Sequence, residues 1–567
     1  MRWAVLAVIL YTLFLLLLGR RAMERARGHG EQFLTGGRRV SGLFIFTMIA
    51  GLWCSSLAVT VMETAYDVGA SAFWFGMGTV IMSALAAGLF LTPFHRIGFT
   101  TNSALIGQRF GRTAQLVAGV VIGLTFPIFA MGPVLAAGIW LHVATSWPVA
   151  LTLAAPLAVI VLYVAMGGMW SLAYTQPANL AALVSGFLVA AWVVLRHVRG
   201  VTATPTPHLW AGLASHQPAG FGNLFGVGPG LILVWIIGAM LNVVSAQAEF
   251  QLLSSSHSPR AGRLAVWATT PLLIAVSAVA TALGMALRSV APSSIHNGLL
   301  AFPLVILHVA PVWAKVLVIL GVWAAALNWS APLLFSGAVS LGADVGGLLL
   351  RGSKKVSTRQ LICFTLPLQA MALLAYALIR PQDLAWWSVF GLTLRNATIV
   401  IPTLAFLLWP AGGRRAAVAS MLCGAASGLA WNAVTGFSPT RFLFGIHPMW
   451  LAMGVAVATF AVGTLWEHRG SWQPVVEAGA RWRAMGVVMV GVAAGGTIVW
   501  MAGALRSRGL VPLGALLVLF GLAGSLALSY QLRGPGGDAE AGTMAERGSL
   551  TLERDRDASD AVNLING

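Results

Sequence analysis

Charge is scarce in this sequence: only 9% of its 567 residues are Asp, Glu, Lys or Arg, against roughly a quarter in soluble domains. A chain that is 58% hydrophobic and so poor in charge cannot have water as its main solvent, which excludes a string of ordinary soluble domains. Cysteine is scarcer still. Cys54, Cys363 and Cys423 all lie inside apolar runs, so there is no disulfide framework and no CxxC or Cys/His metal spacing. The histidines fall mostly at helix ends and form no HxxxH or HExxH pattern, which leaves no metal or nucleophile constellation and argues against a membrane enzyme. Acids are few as well, 16 against 34 Lys and Arg, and that shortage produces the net charge of +18.

What is abundant is apolar sequence in runs near the ~20 residues that cross a bilayer. The pattern predicts an all-α polytopic membrane protein of about fifteen helices, at 1–19, 42–66, 70–93, 114–142, 145–166, 175–195, 223–252, 264–287, 314–343, 360–379, 385–409, 416–433, 446–466, 484–503 and 509–530. Threaded through these spans, 24 of the 34 basic residues fall on one side. That asymmetry is what orients helices in a membrane, so we read it as topology and not as a nucleic-acid surface. It places the N-terminus outside and the C-terminus in the cytoplasm, in a plasma (inner) membrane. The run Ala4 to Leu18 lacks a small-residue cleavage site and precedes Arg20, Arg21, Arg25 and Arg27, so it reads as a retained first helix. Residues 1–530 form the membrane domain. The polar stretch 531–567 has no apolar face to offset the entropy of ordering and reads as a disordered tail. Ala301 to Pro311 is apolar but too short to span. Gly226 to Gly230 has no preceding strand and no following GK[ST], so it is a helix-entry turn and not a phosphate loop.

Six stretches then occur in a telling order. Phe33 to Gly78 is similar to the start of the sodium:solute symporter core, where a glycine-and-arginine leader precedes a broken helix. Pro93 to Arg112 resembles the family's cytoplasmic link with its RFG ending, and Tyr163 to Gln176 (YVAMGGMWSLAYTQ) its GG…TD segment. Ser254 to Arg263 resembles the AAKSxxEA loop, Ala324 to Asp344 the AA..S helix, and Ile446 to Trp466 the terminal HP helix. The resemblance covers about residues 30 to 470. It implies a LeuT-like fold of two inverted five-helix repeats, core 42–409, with extra helices at 1–19 and within 416–530. It also implies transport of a small-molecule solute. In such folds the first helix of each repeat is broken near the bilayer midplane; Gly51 and Gly238 stand near the middles of the matching spans, although a glycine there also serves packing.

The resemblance further implies a sodium site, and here the sequence departs from it. The matching positions are Ala50 and Trp53 on one helix and Ala325, Asn328 and Trp329 on another. The family's hydroxyl pair is gone, and an indole donates but cannot ligate a cation. Gln176 replaces the acid of the TD pair. We expect Trp53 and Trp329 to fill the vacated site, sodium coupling to be weakened or absent, and no other cofactor. Arg395, alone among basic residues in lying near the centre of a span, is costly there by ~3 kcal/mol or more and must face a cavity or a partner. Two readings stay open: it binds an anionic group of the solute, or it pairs with Glu63 or with carbonyls at a helix break. Ser55, Ser56, Leu57, Asn242 and Gln247 complete the expected substrate set, suited to a small, partly apolar solute such as a carboxylate. Glu63, Asp67 and Glu249 read as solvated vestibule charges. A sodium-independent carrier, or a membrane sensor on the same fold, would satisfy much of the same sequence, which leaves the oligomeric state open.

Overall fold

The computed structural model describes residues 2–26, 30–201, 213, 217–292, 294–350, 356–409, 412–438, 441–469, 472–474 and 511–532, with scattered positions between 485 and 500. The tail from 533 onward lies outside the described residues, as do 202–212 of the long loop and most of the expected span 484–503.

Helices account for nearly all of the described chain. Besides short helical pieces at Gly30–Thr35, Leu91–Arg96 and Gly347–Leu349, they are α1 (Arg2–Arg25), α2 (Gly42–Val68), α3 (Phe73–Leu85), α4 (Asn102–Phe110), α5 (Arg112–Thr145), α6 (Val149–Gly167), α7 (Met169–Val201), α8 (Pro229–Leu241), α9 (Gln247–Ser254), α10 (Pro259–Val290), α11 (Gly298–Val309), α12 (Val312–Val339), α13 (Thr358–Ile379), α14 (Leu384–Leu408), α15 (Arg414–Val434), α16 (Pro448–Glu467) and α17 (Val511–Ser529). A two-stranded antiparallel ribbon pairs Trp472–Pro474 with Tyr530–Leu532. Eleven helical stretches are long and apolar enough to cross a membrane, or twelve with the bent pair α8–α9 counted as one span. One stretch, Gly42–Arg96, is 55 residues long, far more than one crossing requires. It turns at Gly69, whose φ of +70° suits glycine and whose missing side chain lets the Phe221 carbonyl approach. Dividing there gives thirteen among the described residues, and α17 matches the expected span 509–530. Ala301 to Val309 falls within the 12-residue α11, too short to span as expected, with Ala310 its C-cap and Pro311 the N-cap of α12.

The interior is built from helices that are apolar on every side, which is the signature of burial on every side. Twenty of the 27 residues of α2 are buried, and α12 is buried without interruption from Val322 to Val339. Helix α2 packs along α10, and α12 packs along α5 and α7. Small residues set the close approaches: Gly186 of α7 meets the backbone of α12 at Leu317 and Gly321, as membrane helices require when apolar attraction between them is absent.

One span is broken and one is not. Helix α8 tightens into a 3-10 turn at Asn242–Val244, leaves helical geometry at Ser245 and Ala246, and resumes as α9 at an angle of 47°. The break therefore lies past Gly238. The break expected near Gly51 is absent: α2 is continuous from Gly42 to Val68. It holds no proline, and Gly51 serves a contact, since a Cβ there would press on the side chains of Gln176 and Asn328.

Candidate functional site

Side chains replace the ladder hydrogen bonds that the break forfeits. Ser245 Oγ donates to Asn396 Oδ1 (2.9 Å), and Asn396 Nδ2 donates to the Gly238 carbonyl (3.0 Å). Asn102 Nδ2 donates to the Val244 carbonyl (2.8 Å), while the Asn102 backbone N–H donates to Gln247 Oε1 (2.8 Å). Gln247 Nε2 reaches Ser336 Oγ and Ser340 Oγ, both at 2.9 Å. Nearby, Thr101 and Ser103 donate to Asp344 Oδ2 at 2.7 and 2.5 Å. This network ties the break to α4, α12 and α14. Buried backbone groups are paired in this way wherever a membrane helix is interrupted.

The break opens onto a cavity of about 70 Å³. Its walls repeat helical spacing: Leu52, Trp53 and Ser56 on α2; Phe75, Thr79 and Met82 on α3; Phe126 and Phe129 on α5; Trp329 and Leu333 on α12; Ser388, Leu392 and Arg395 on α14. Steps of three and four residues put each set on one face. The break itself supplies Asn242, Ala246 and Glu249.

Arg395 is 3% exposed, and its Nη2 donates to Asn242 Oδ1 at 2.5 Å. Its guanidinium lies over Phe129, 4.1 Å from the ring centroid, and near Phe126. A desolvated cation–π contact is worth about 2 kcal/mol, less than the cost of the buried charge. Nε has no hydrogen-bond partner, and no carboxylate lies within ion-pair distance, among the described residues. The pairing with Glu63 held open from sequence does not form. Glu63 is buried and accepts from the Leu384 N–H (3.1 Å), capping the first turn of α14, where a negative group complements the helix dipole. Its reading as a solvated charge is corrected on that ground, and so is that of Glu249, which is 1% exposed and faces the cavity. Asp67 is exposed, as expected.

Of the expected substrate set, Ser56, Asn242 and Arg395 meet at the cavity. Ser55 Oγ is turned back to the Gly51 carbonyl (2.6 Å), Leu57 is buried on another face, and Gln247 belongs to the network behind the break. Trp53 and Trp329 stack at a tilt, with centroids 5.3 Å apart. The Trp329 indole donates to the Phe129 carbonyl, which fixes the ring in place.

No family model matches the chain. Over 188 residues it is 28% identical to the Homo sapiens sodium/iodide cotransporter, a match that covers 33% of this chain and 28% of that protein. Over 180 residues it is 26% identical to the Mus musculus sodium-coupled monocarboxylate transporter 2, covering 31% and 29%. The chain thus aligns with less than a third of either relative's length. A solved Na+-coupled sialic acid symporter in a substrate-bound outward-open state shares its fold, with a TM-score of 0.67 at 16% identity over 82% of this chain and 98% of that one.

The chain is a divergent relative of the sodium:solute symporters. It has their LeuT-like fold and is an integral membrane protein. Of the five positions matched to that family's sodium site, Trp53 and Trp329 line the cavity and Ala50, Ala325 and Asn328 are buried. Ala50 and Trp53 sit in the unbroken α2, whose carbonyls are engaged in the helix. Ala325 is buried, and the Asn328 carbonyl already accepts from Gln176 Nε2 at 3.1 Å. Both polar atoms of the Asn328 side chain lack partners among the described residues.

Proposed function

We propose that this protein is a secondary active transporter that moves a small organic solute by alternating access, with Arg395 binding an anionic group of the solute. One observation supports this reading above the others: the broken pair α8–α9 opens on an aromatic-lined cavity in which a buried guanidinium has no carboxylate partner among the described residues. A guanidinium held by Asn242 with its Nε unsatisfied suits a carboxylate. Anions also appear in the names of the sodium/iodide and monocarboxylate relatives, which favours the same charge.

Sodium symport follows from the family alone. The missing hydroxyl pair and the engaged carbonyl of Asn328 favour a carrier whose sodium dependence is weak or lost. The cytoplasmic C-terminus and the plasma-membrane location rest on the distribution of basic residues.

Uptake of radiolabelled carboxylates into proteoliposomes tests the reading. Wild type should accumulate or exchange at least one, and Arg395→Gln should cut uptake about tenfold or more. Equal uptake by Arg395→Gln would remove the role of Arg395. Uptake that ceases when external sodium is replaced by choline would overturn the sodium reading.

A further inference from the structure

Glu249 is unexplained by an anion carrier. It lines the same cavity as Arg395, is 1% exposed, and lies three residues past Ala246 at the start of the second limb. Ser83 Oγ donates to its Oε1 at 2.5 Å. Its Oε2 accepts no hydrogen bond among the described residues, and the Trp53 indole faces it without reaching hydrogen-bond geometry. A buried carboxyl oxygen with no donor is costly. So is the unpartnered Nε of Arg395 across the same space. The two charged groups do not touch, because no ion pair joins them.

We infer that Arg395 and Glu249 are the two poles of one binding site and that the solute is a small zwitterion, with its carboxylate on Arg395 and its ammonium on Glu249. This rests on the transporter reading and narrows it to a solute class. A plain monocarboxylate would satisfy Arg395 and leave a second negative group stranded beside it. A zwitterion neutralises both ends at once, and the aromatic rings of Trp53 and Phe75 that line the cavity suit an ammonium as well as an apolar side chain. Site and solute are then each neutral overall, and the low-dielectric cavity strengthens both contacts.

The test is thermal-shift titration of the purified full-length protein with three sets of matched ligands: alanine, propionate and ethylamine, then valine, isovalerate and isobutylamine, then phenylalanine, 3-phenylpropionate and phenethylamine. In at least one set the zwitterion should bind about tenfold or more tightly than either single-charge analogue. Glu249→Gln should weaken that zwitterion by about tenfold while leaving or improving the carboxylate, and Glu249→Asp should recover part of the loss. These variants' own melting points, compared with wild type, separate lost binding from lost folding. A carboxylate that matches or exceeds its zwitterion in wild type, with uptake of one proton seen by calorimetry in buffers of different ionisation enthalpy, would overturn the inference and assign neutralisation of Glu249 to a proton. Unchanged selectivity in Glu249→Gln would overturn it too. Both results leave transport of an anion standing, whereas failure of all nine compounds to shift wild type counts against the anion site itself.

Discussion

Replacing Gln247 by Met asks whether side chains hold the helix break in place. Methionine has nearly the same shape and no amide, so packing is kept and four hydrogen bonds are lost, the weakest of them to the Ser336 carbonyl at 3.2 Å. The Asn102 N–H loses its acceptor at 2.8 Å and lies in the first turn of α4, where no helical carbonyl can take it. Leaving that buried donor bare costs about 1–3 kcal/mol. Ser336 and Ser340 each lose a donor at 2.9 Å, but a serine in a helix can turn its hydroxyl to a carbonyl one turn back. Those two losses are worth about 0.5–1 kcal/mol each, for a total of about 2–5 kcal/mol. The assay is thermal unfolding in detergent at one fixed scan rate, since irreversible unfolding makes the midpoint rate-dependent. Gln247→Met should melt several degrees below wild type, and Ser340→Ala should lie closer to wild type. A Gln247→Met protein that melts at or above wild type would show that the break is held by packing alone.

Three further outcomes are expected. His447 caps α16 by accepting from the Met449 N–H at 3.1 Å, and burial pushes its pKa down to about 3 from 6.5. The unfolded chain therefore binds the proton first, so this contribution is full above pH 6.5 and lost as pH falls toward 3; His447→Asn should flatten that part of the stability curve. Gly284 faces the Met62 carbonyl so closely that Gly284→Ala must move backbone and should cost about 1–3 kcal/mol, whereas Gly347→Ala enters open space and should change stability by less than about 0.5 kcal/mol; equal melting of the two would contradict the packing described for α2 and α10. Sodium chloride should stabilise the protein no more than choline chloride at the same ionic strength, and a sodium-specific rise in melting point would mean that Asn328 still ligates a cation.

The helices were legible because lipid leaves so little freedom: apolar runs of spanning length admit few other readings. Arg395 was legible for the same reason, since a charge in the middle of such a run must be used or paired. Glu249 was not. It follows Asn242 by seven residues, about 10 Å along a straight helix, and so reads as lying near the end of its span. The 47° bend after the 3-10 turn redirects the second limb, and Asn242, Ala246 and Glu249 all face one cavity. Distance along the chain stops measuring depth once a helix bends.

Glycine misled in a similar way. Gly51 and Gly238 mark the middles of two spans, yet α2 runs straight through the first, and the second lies within α8, before the break. A membrane helix needs more than a weak residue to open; each freed N–H and carbonyl must find another partner. Around residues 242–247 those partners exist, in Asn102, Ser336, Ser340 and Asn396. Around Gly51, the nearby Gln176 and Asn328 side chains are turned elsewhere or unpartnered among the described residues, and the one side-chain bond to its carbonyl among them comes from Ser55 within the same helix. The position of the break is therefore encoded in polar residues on α4, α12 and α14, far from it in sequence, and only their convergence distinguishes a gap in a helix from a glycine that lets two helices touch.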